Sequence, residues 1–397
     1  METSSSAAAE RAAREAYGRL VAILTSRTGD VAAAEDALSD AFVAALERWP
    51  SAGVPARPEG WLLEVARRRD VDRVRRAAVR DRGRDALEDL ARSATDDAPG
   101  VPDRRLQLLF MCAHPSIDPA IRAPLMLQVV LGLDAHRIGR AFLVAPTTMG
   151  QRLSRAKRKI RDAKIPFELP DDRMAERRGV VCEAIYAAFA TSWDETAADR
   201  RTGLAHEAIW LGRLMVAATE RDPEAAGLLA LMLHVEARRP ARRDADGGFV
   251  PLDRQDPSRW DRALVTEAEQ WLWAAAERET VGRFQLEAAI QSAHAHRRLT
   301  GRTDWTAIEA LYRRLLEHAD TLGARVAHLA AMAEAVGPDD AYRRALTLEG
   351  PATQHHQPYW TLRAHLERRM GQDPSASVER AMALTEDEGV RAYLRRI

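Results

Sequence analysis

Alanine, leucine, arginine and glutamate dominate this chain from end to end, and nowhere do β-branched residues alternate as a half-buried strand requires. Straight-chain side chains lose little rotamer freedom in a helix, so nearly every segment between turn signals is expected to be helical. The expected fold class is therefore all-α. At 397 residues there is material for two or three cores. What separates one such helix from the next is the charge and apolarity of its faces.

Leu133 to Lys164 reads as a helix-turn-helix. Leu133, Ile138, Ala141 and Phe142 give a short amphipathic first helix, and Leu143-Val144-Ala145-Pro146 a turn of suitable length. Pro146 presets the entry of the second helix, with Thr147 as its expected cap. Met149, Leu153, Ala156 and Ile160 then recur at i, i+4, i+7 and i+11, forming one apolar stripe. Thr148, Arg152, Arg155 and Lys159 repeat that spacing one residue earlier and line the adjacent face, with Gln151 and Arg158 beside them. From Gln151 to Lys164 a run of arginines and lysines, including all three lysines of the chain, stands against Asp162 alone. A polar first turn can meet base edges while the following cations meet phosphates, as a recognition helix requires. The candidate duplex contacts are Thr147, Thr148, Gln151, Arg152, Arg155, Lys157, Arg158 and Lys159. Charge alone fits a solvated basic helix or a general RNA-binding face equally well. The short helix and tight turn ahead of it favour DNA.

Composition limits the other possibilities. With 59 basic and 59 acidic side chains the formal net charge is zero, so binding to nucleic acid must come from local patches. Cys112 and Cys182 are too few and too far apart for a disulfide framework, and Cys112 with His114 too few for a zinc site. No phosphate-cradling glycine loop, metal-spaced His/Cys cluster or nucleophile–base set is evident, so no catalytic residue, metal or cofactor is expected. The sequence has no secretory h-region and no apolar run long enough for a bilayer, and a reducing cytoplasm is the simplest compartment.

Three territories and a linker are expected: a helical unit at residues 1–85, the polar linker at 86–102, a helix-turn-helix unit at 103–167, and a long helical region at 171–397. In the first, Asp30 is the expected cap of a helix that buries Ala34, Leu38, Ala41, Phe42, Ala45 and Trp49. Asp36, Asp40 and Glu47 form an acidic stripe on its other side, a pattern that most often simply faces solvent. Pro55 and Pro58 introduce a second helix from about Glu59, carrying Trp61, Leu62, Val65 and Ala66. Arg67, Arg68, Arg69, Arg73, Arg75, Arg76 and Arg80 go around it, some to pair with Asp70 and Asp72, others free to meet phosphates.

These residues resemble a known family. Gly29-Asp30 through Ala34-Glu35-Asp36-Ala37 and Ala41-Phe42, then Trp61-Leu62 and Ala66-Arg67 to Asp72-Arg73-Val74-Arg75-Arg76, look like region 2 of bacterial sigma factors of the extracytoplasmic-function (ECF) type. Leu106 to Pro166, with Cys112-Ala113-His114-Pro115, Phe142-Leu143-Val144, Thr148-Met149 and Arg155 to Arg161, resembles region 4. The chain is most similar to a subgroup with a C-terminal extension of tetratricopeptide type. The resemblance implies core RNA polymerase and promoter DNA as partners. Glu35, Asp36, Asp40 and Phe42 would lie near the surface docking on the β′ clamp helices, and region 4 near the β flap. Trp61, Arg67, Arg68, Arg69, Arg73, Arg75 and Arg76 would engage the −10 element, where single-strand capture needs cations and stacking surfaces. The 147–161 helix would read the −35 element in the major groove. Ser39 departs from the usual glutamine, Arg68 from the usual asparagine, and Arg137 from a usually acidic position; Arg137 can serve a phosphate or alter a polymerase contact.

In the last territory Ala293-His294, Ala327-His328 and Ala364-His365 recur at spacings of 34 and 37, a repeat-like period of helix pairs. At that separation the histidines read as packing or surface residues rather than ligands. The loop Arg239 to Trp260 is either a docking element or a simple connection. By resemblance the extension regulates activity in place of a separate anti-sigma partner, binding its own sigma domains or a protein or peptide partner. A one-component regulator with a helical sensor domain is the alternative, but it leaves the Asp30 to Arg76 unit without a purpose.

Overall fold

The computed structural model describes residues 16–81, 103–142, 144–169, 174–191, 204–278 and 280–397, and of 70–81, 140–141, 174–176, 191 and 204 the backbone alone. Among these residues every regular element is a helix, and the one β contact is an isolated antiparallel bridge between Arg243 and Phe249. The all-α expectation holds. The expected linker at 86–102 lies outside the described residues.

Two compact units divide the chain, Met1–Leu214 and Met215–Ile397. The first contains α1 (residues 16–28), α2 (Val31–Ala52), α3 (Pro58–Asp81), α4 (Arg105–Cys112) and α5 (Pro119–Leu131). It continues through α6 (Ala135–Ala141), α7 (Pro146–Asp162) and α8 (Met174–Thr191) into α9 (Leu204–Ala218). The Asp30 carboxylate accepts from the Ala33 amide at 3.1 Å, so the expected cap of α2 forms. Ala34, Leu38, Ala41, Ala45 and Trp49 are buried as their spacing requires, whereas Phe42 is only half-buried. Trp49 meets the edge of Trp61 from α3, ring centroids 5.5 Å apart, which fastens the second helix to the first. At Gly18 a Cβ would fall 1.8 Å from the Val130 carbonyl oxygen, so only glycine lets α1 approach the backbone of α5 this closely.

The first unit runs to Leu214, well past the expected boundary at 167–171. Helix α8 packs on α4 and α5. Arg105, 7% exposed, pairs with Asp103 at 2.9 Å and with Glu207 of α9 at 2.5 Å, and its guanidinium lies 3.8 Å from the Trp210 ring centroid. A guanidinium this deep is tolerable because two carboxylates neutralise it. Residues that read as the start of a separate extension thus complete the first core.

In the second unit α10 (Pro223–Ala237) is buried almost all round, from Ala225 to His234. Against it lie α11 (Arg262–Ala276) and α12 (Arg283–Ala295). Glu224 accepts from the amides of Phe284 at 3.0 Å and Gln285 at 3.2 Å, so a side chain of α10 satisfies the free N-terminal donors of α12. After the single turn α13 (Arg297–Thr300) come α14 (Trp305–His318), α15 (Leu322–Ala335), α16 (Pro338–Thr347) and α17 (Gln357–Arg369). Helices α18 (Ser375–Ala383) and α19 (Glu388–Leu394) finish the chain. From α14 to α19 each helix packs on its successor, and α15 also packs on α17 around Val326, Leu329, Met332, Tyr359 and Leu366.

The three Ala-His pairs fall on α12, α15 and α17, each the second helix of a hairpin. Their histidines meet a Trp305 edge (His294), Glu309 at 2.9 Å (His328) and Glu334 at 3.7 Å (His365). The 239–260 segment is neither featureless nor detached. Trp260 is buried, Arg243 pairs with Asp387, and Phe249 stands edge-on to Tyr393 at 5.7 Å, which holds the segment within its own unit.

Candidate nucleic-acid interface

Asp134 opens α6 by accepting from the Arg137 amide at 2.8 Å. The turn to α7 is closed by the Val144 amide donating to the Gly139 carbonyl at 2.9 Å. A Cβ on Gly139 would lie 2.5 Å from the Val144 carbonyl oxygen, so glycine is what permits this turn. Thr147 does not cap α7. The cap position is Ala145, with no side-chain hydrogen bond, and Pro146 is the first helical residue, where its missing N–H costs nothing. Thr147 instead stands exposed in the first turn.

The apolar stripe read from spacing is the buried face of α7. Met149, Leu153, Ala156 and Ile160 are each no more than 6% exposed, and burying each large side chain contributes about 1.5–3 kcal/mol. Thr147, Thr148, Gln151, Arg152, Arg155, Arg158 and Lys159 are all exposed. No acidic residue occupies the first turn, while Lys159 and Arg161 sit in the last, where cations complement the helix dipole. The first-turn amides thus face solvent without a competing carboxylate. The exposed surface combines a polar end and a cationic body on one rigid helix.

Lys157 is the exception. Its Nζ lies 2.6 Å from Glu35 Oε2 of α2, with the two side chains 15% and 12% exposed. Tyr17 donates from its hydroxyl to the other Glu35 oxygen at 3.0 Å, and burial followed by that carboxylate pushes its phenol well above the ordinary value. Two residues expected on separate surfaces, Lys157 toward DNA and Glu35 toward a protein partner, therefore face one another in this structure. The physical reason is the packing of α2 on α7, which brings the only shielded positions of both charged faces together. Arg161 comes within 3.9 Å of Asp30 at the same contact, but it is half-exposed and screened.

The outer face of α2 presents Asp36, Asp40 and Glu47 to solvent. Val43 and Leu46, 52% and 51% exposed, stand among these acids. Val43 keeps the i, i+4, i+7, i+11 spacing with Asp36, Asp40 and Glu47, a signal present in the sequence. On α3, Trp61 and Arg67 are half-buried, Arg69 is exposed, and Arg68 is exposed but paired with Glu64 at 2.8 Å. The side chains of Arg73, Arg75 and Arg76 lie outside the described residues, although α3 runs through them. Among the described residues no helix is long and apolar enough to cross a membrane, and no three potential metal ligands cluster.

Known proteins match this arrangement in parts. Sigma-70 region 2 matches residues 13–80, the span of α1 to α3, and a family of unknown function, DUF6596, matches residues 177–276. An uncharacterized protein of Rhizobium meliloti (strain 1021) is 34% identical over 375 residues, 91% of this chain and 88% of that protein. The probable ECF RNA polymerase sigma factor SigI of Mycobacterium tuberculosis (strain ATCC 25618 / H37Rv) is 31% identical over 161 residues, 38% of this chain. The probable RNA polymerase sigma factor RfaY of Xanthomonas campestris pv. campestris is 28% identical over a stretch of the same length. The chain spans 53% of SigI and 40% of RfaY. No solved structure matches it significantly. The tetratricopeptide resemblance of the C-terminal part thus has no counterpart in the matches, which give that part only as DUF6596. With region 2 helices in its first unit the chain is of sigma-factor type, and it belongs to one family with the Rhizobium protein.

Proposed function

We propose that the chain is a promoter-specificity subunit of the ECF type, which binds core RNA polymerase and directs initiation without covalent chemistry of its own. The observation that carries this reading is α7: its apolar stripe is buried while Thr148, Gln151, Arg152 and Arg155 stand exposed in the same compact unit as the region 2 helices. On this reading the first turns of α7 meet −35 base edges in the major groove, and Arg158 and Lys159 meet phosphates. The face of Asp36, Asp40, Val43 and Glu47 docks on the polymerase clamp, acids giving orientation and the exposed apolar pair contact area. Trp61 and the α3 arginines serve the −10 strand. Two weak DNA contacts suffice because polymerase supplies their effective concentration, which fits a net charge of zero. The cell compartment is then the cytoplasm, where polymerase works.

The test is run-off transcription with core polymerase: initiation at target promoters should require the chain, and transcription independent of it at every promoter refutes the reading. Arg152→Ala and Arg155→Ala should weaken −35 binding while leaving polymerase association intact. The C-terminal helices are proposed to regulate this activity. A chain ending after Ala218 keeps α8 and α9 with the helices they complete; promoter output identical to the full chain would remove the regulatory role.

A further inference from the structure

The C-terminal unit buries a positive charge that no acid of its own neutralises. Arg238, at the end of α10, is 9% exposed. Its Nη2 donates to the amide oxygen of Gln291 on α12, and its Nε to the His234 carbonyl at 3.4 Å. Among the described residues no carboxylate pairs with this guanidinium; beside it lie the Tyr312 hydroxyl and a second guanidinium, Arg297. Arg105, another deep arginine, holds two carboxylates at 2.9 and 2.5 Å. A buried charge without a counterion is costly, and an arginine cannot shed its proton to escape.

A second buried group beside it is also unsatisfied. His234 is 1% exposed, and neither ring nitrogen has a hydrogen-bond partner. Glu269 Oε1 lies 3.4 Å from Nε2 but out of line for a hydrogen bond, and it accepts instead from the Ser292 hydroxyl at 2.7 Å. His294 is mostly buried against Trp305. Arg297 is held by the carbonyls of Leu252, Asp253 and Gln255, at 3.1, 2.6 and 2.8 Å. Burial pushes both His234 and His294 down to about 3, so they are neutral at pH 7, while Arg238, pushed down to about 10, stays charged. Arg297 faces the Asp253 carboxylate, so Arg238 is the guanidinium left with no acid beside it.

We propose that this cluster binds a small organic carboxylate, its two oxygens taken by the Arg238 guanidinium and a neutral His234 ring N–H. One unpaired guanidinium matches a monoanion; a phosphate dianion would bring more negative charge than Arg238 can balance. The guanidinium fork suits a planar carboxylate. Gln291 accepts from Arg238 and Tyr312 lies near its charge; both are half-buried, as are His294 and Trp305, whose aromatic surface suits an apolar acid. The DUF6596 match includes His234, Arg238 and Glu269 and assigns them nothing. The site is independent of the promoter reading.

Thermal unfolding of the full chain in sodium benzoate, sodium butyrate and sodium phosphate, against chloride of equal ionic strength, tests it. Benzoate and butyrate should raise the Tm of the wild-type chain by roughly 2 °C or more, growing with the logarithm of concentration. Phosphate stabilises proteins generally by exclusion, so its effect should be equal in wild type and variants. Arg238→Met removes the unpaired charge at similar volume, and Gln291→Glu supplies an internal counterion. Both variants should lose the carboxylate response, and without ligand neither should melt below wild type. The proposal is overturned if neither carboxylate stabilises wild type more than chloride, or if the response survives in both variants. It is equally overturned if phosphate alone shows a wild-type-specific effect, or if both variants melt below wild type in chloride.

Discussion

Replacing Lys157 tests whether that residue serves the fold or the nucleic acid. At 2.6 Å, with an effective dielectric of about 20, the Lys157–Glu35 pair attracts by roughly 6 kcal/mol before desolvation is charged against it. Lys157→Met removes the partner and leaves the Glu35 carboxylate, 12% exposed, with only the Tyr17 hydroxyl at 3.0 Å. Breaking a fully buried pair costs about 3–5 kcal/mol, and the residual exposure here reduces that to about 2–3 kcal/mol. In a double-mutant cycle with Glu35→Gln, guanidinium unfolding should show a coupling of about 2 kcal/mol, because the double variant leaves no uncompensated charge. The same variants separate the pair's role from phosphate contact. Binding to duplex −35 DNA followed by anisotropy should lose about 0.9 from its log–log salt slope in Lys159→Ala, which is exposed, and keep its full slope in Lys157→Met. A coupling below about 0.5 kcal/mol together with a slope reduced by about one in Lys157→Met would refute the reasoning, since the pair would then be incidental and Lys157 a phosphate ligand.

Gly139→Ala places a Cβ 2.5 Å from the Val144 carbonyl oxygen, so the turn must open; a loss of about 1–3 kcal/mol and weakened −35 binding should follow in denaturant titration and anisotropy. Asp30→Ala removes the side-chain cap of α2 and should cost about 1 kcal/mol in chemical unfolding, with little added from the exposed 3.9 Å contact to Arg161. His234 and His294 are pushed down to about 3 when folded, from an ordinary 6.5, so the unfolded chain takes up protons first as pH falls. Their contribution is complete above pH 6.5 and is lost progressively between 6.5 and 3, so stability should rise with pH across that window. His294→Gln should lower the slope of stability against pH between 6 and 5 by about one proton; an unchanged slope would show that His294 is already protonated in the folded chain.

The helical class, the cap at Asp30 and the buried stripe of α7 were legible in the sequence because each depends on neighbours within a few turns of one helix. A spacing of three and four residues fixes which side chains share a face whatever lies opposite. The exposed acidic stripe of α2 was legible for the same reason, and so was the place of Val43 on it, since Val43 shares the spacing of Asp36, Asp40 and Glu47. The cap assigned to Thr147 failed by local chemistry, since a proline at the first helical position moves the cap back to Ala145.

What the tertiary structure alone decided are the pairings between residues far apart in the chain. Lys157 and Glu35 are separated by 122 positions, and Arg105 and Glu207 by 102. Periodicity ranks neither pair above any other, because which two charged faces meet depends on how helices cross. The same holds for Arg238. Its sequence context is one arginine among many, and only the packing of α10 and α12 removes it from water without giving it an acid. Sequence determined which faces are polar; the fold determined which of those polar groups were left to find a partner elsewhere.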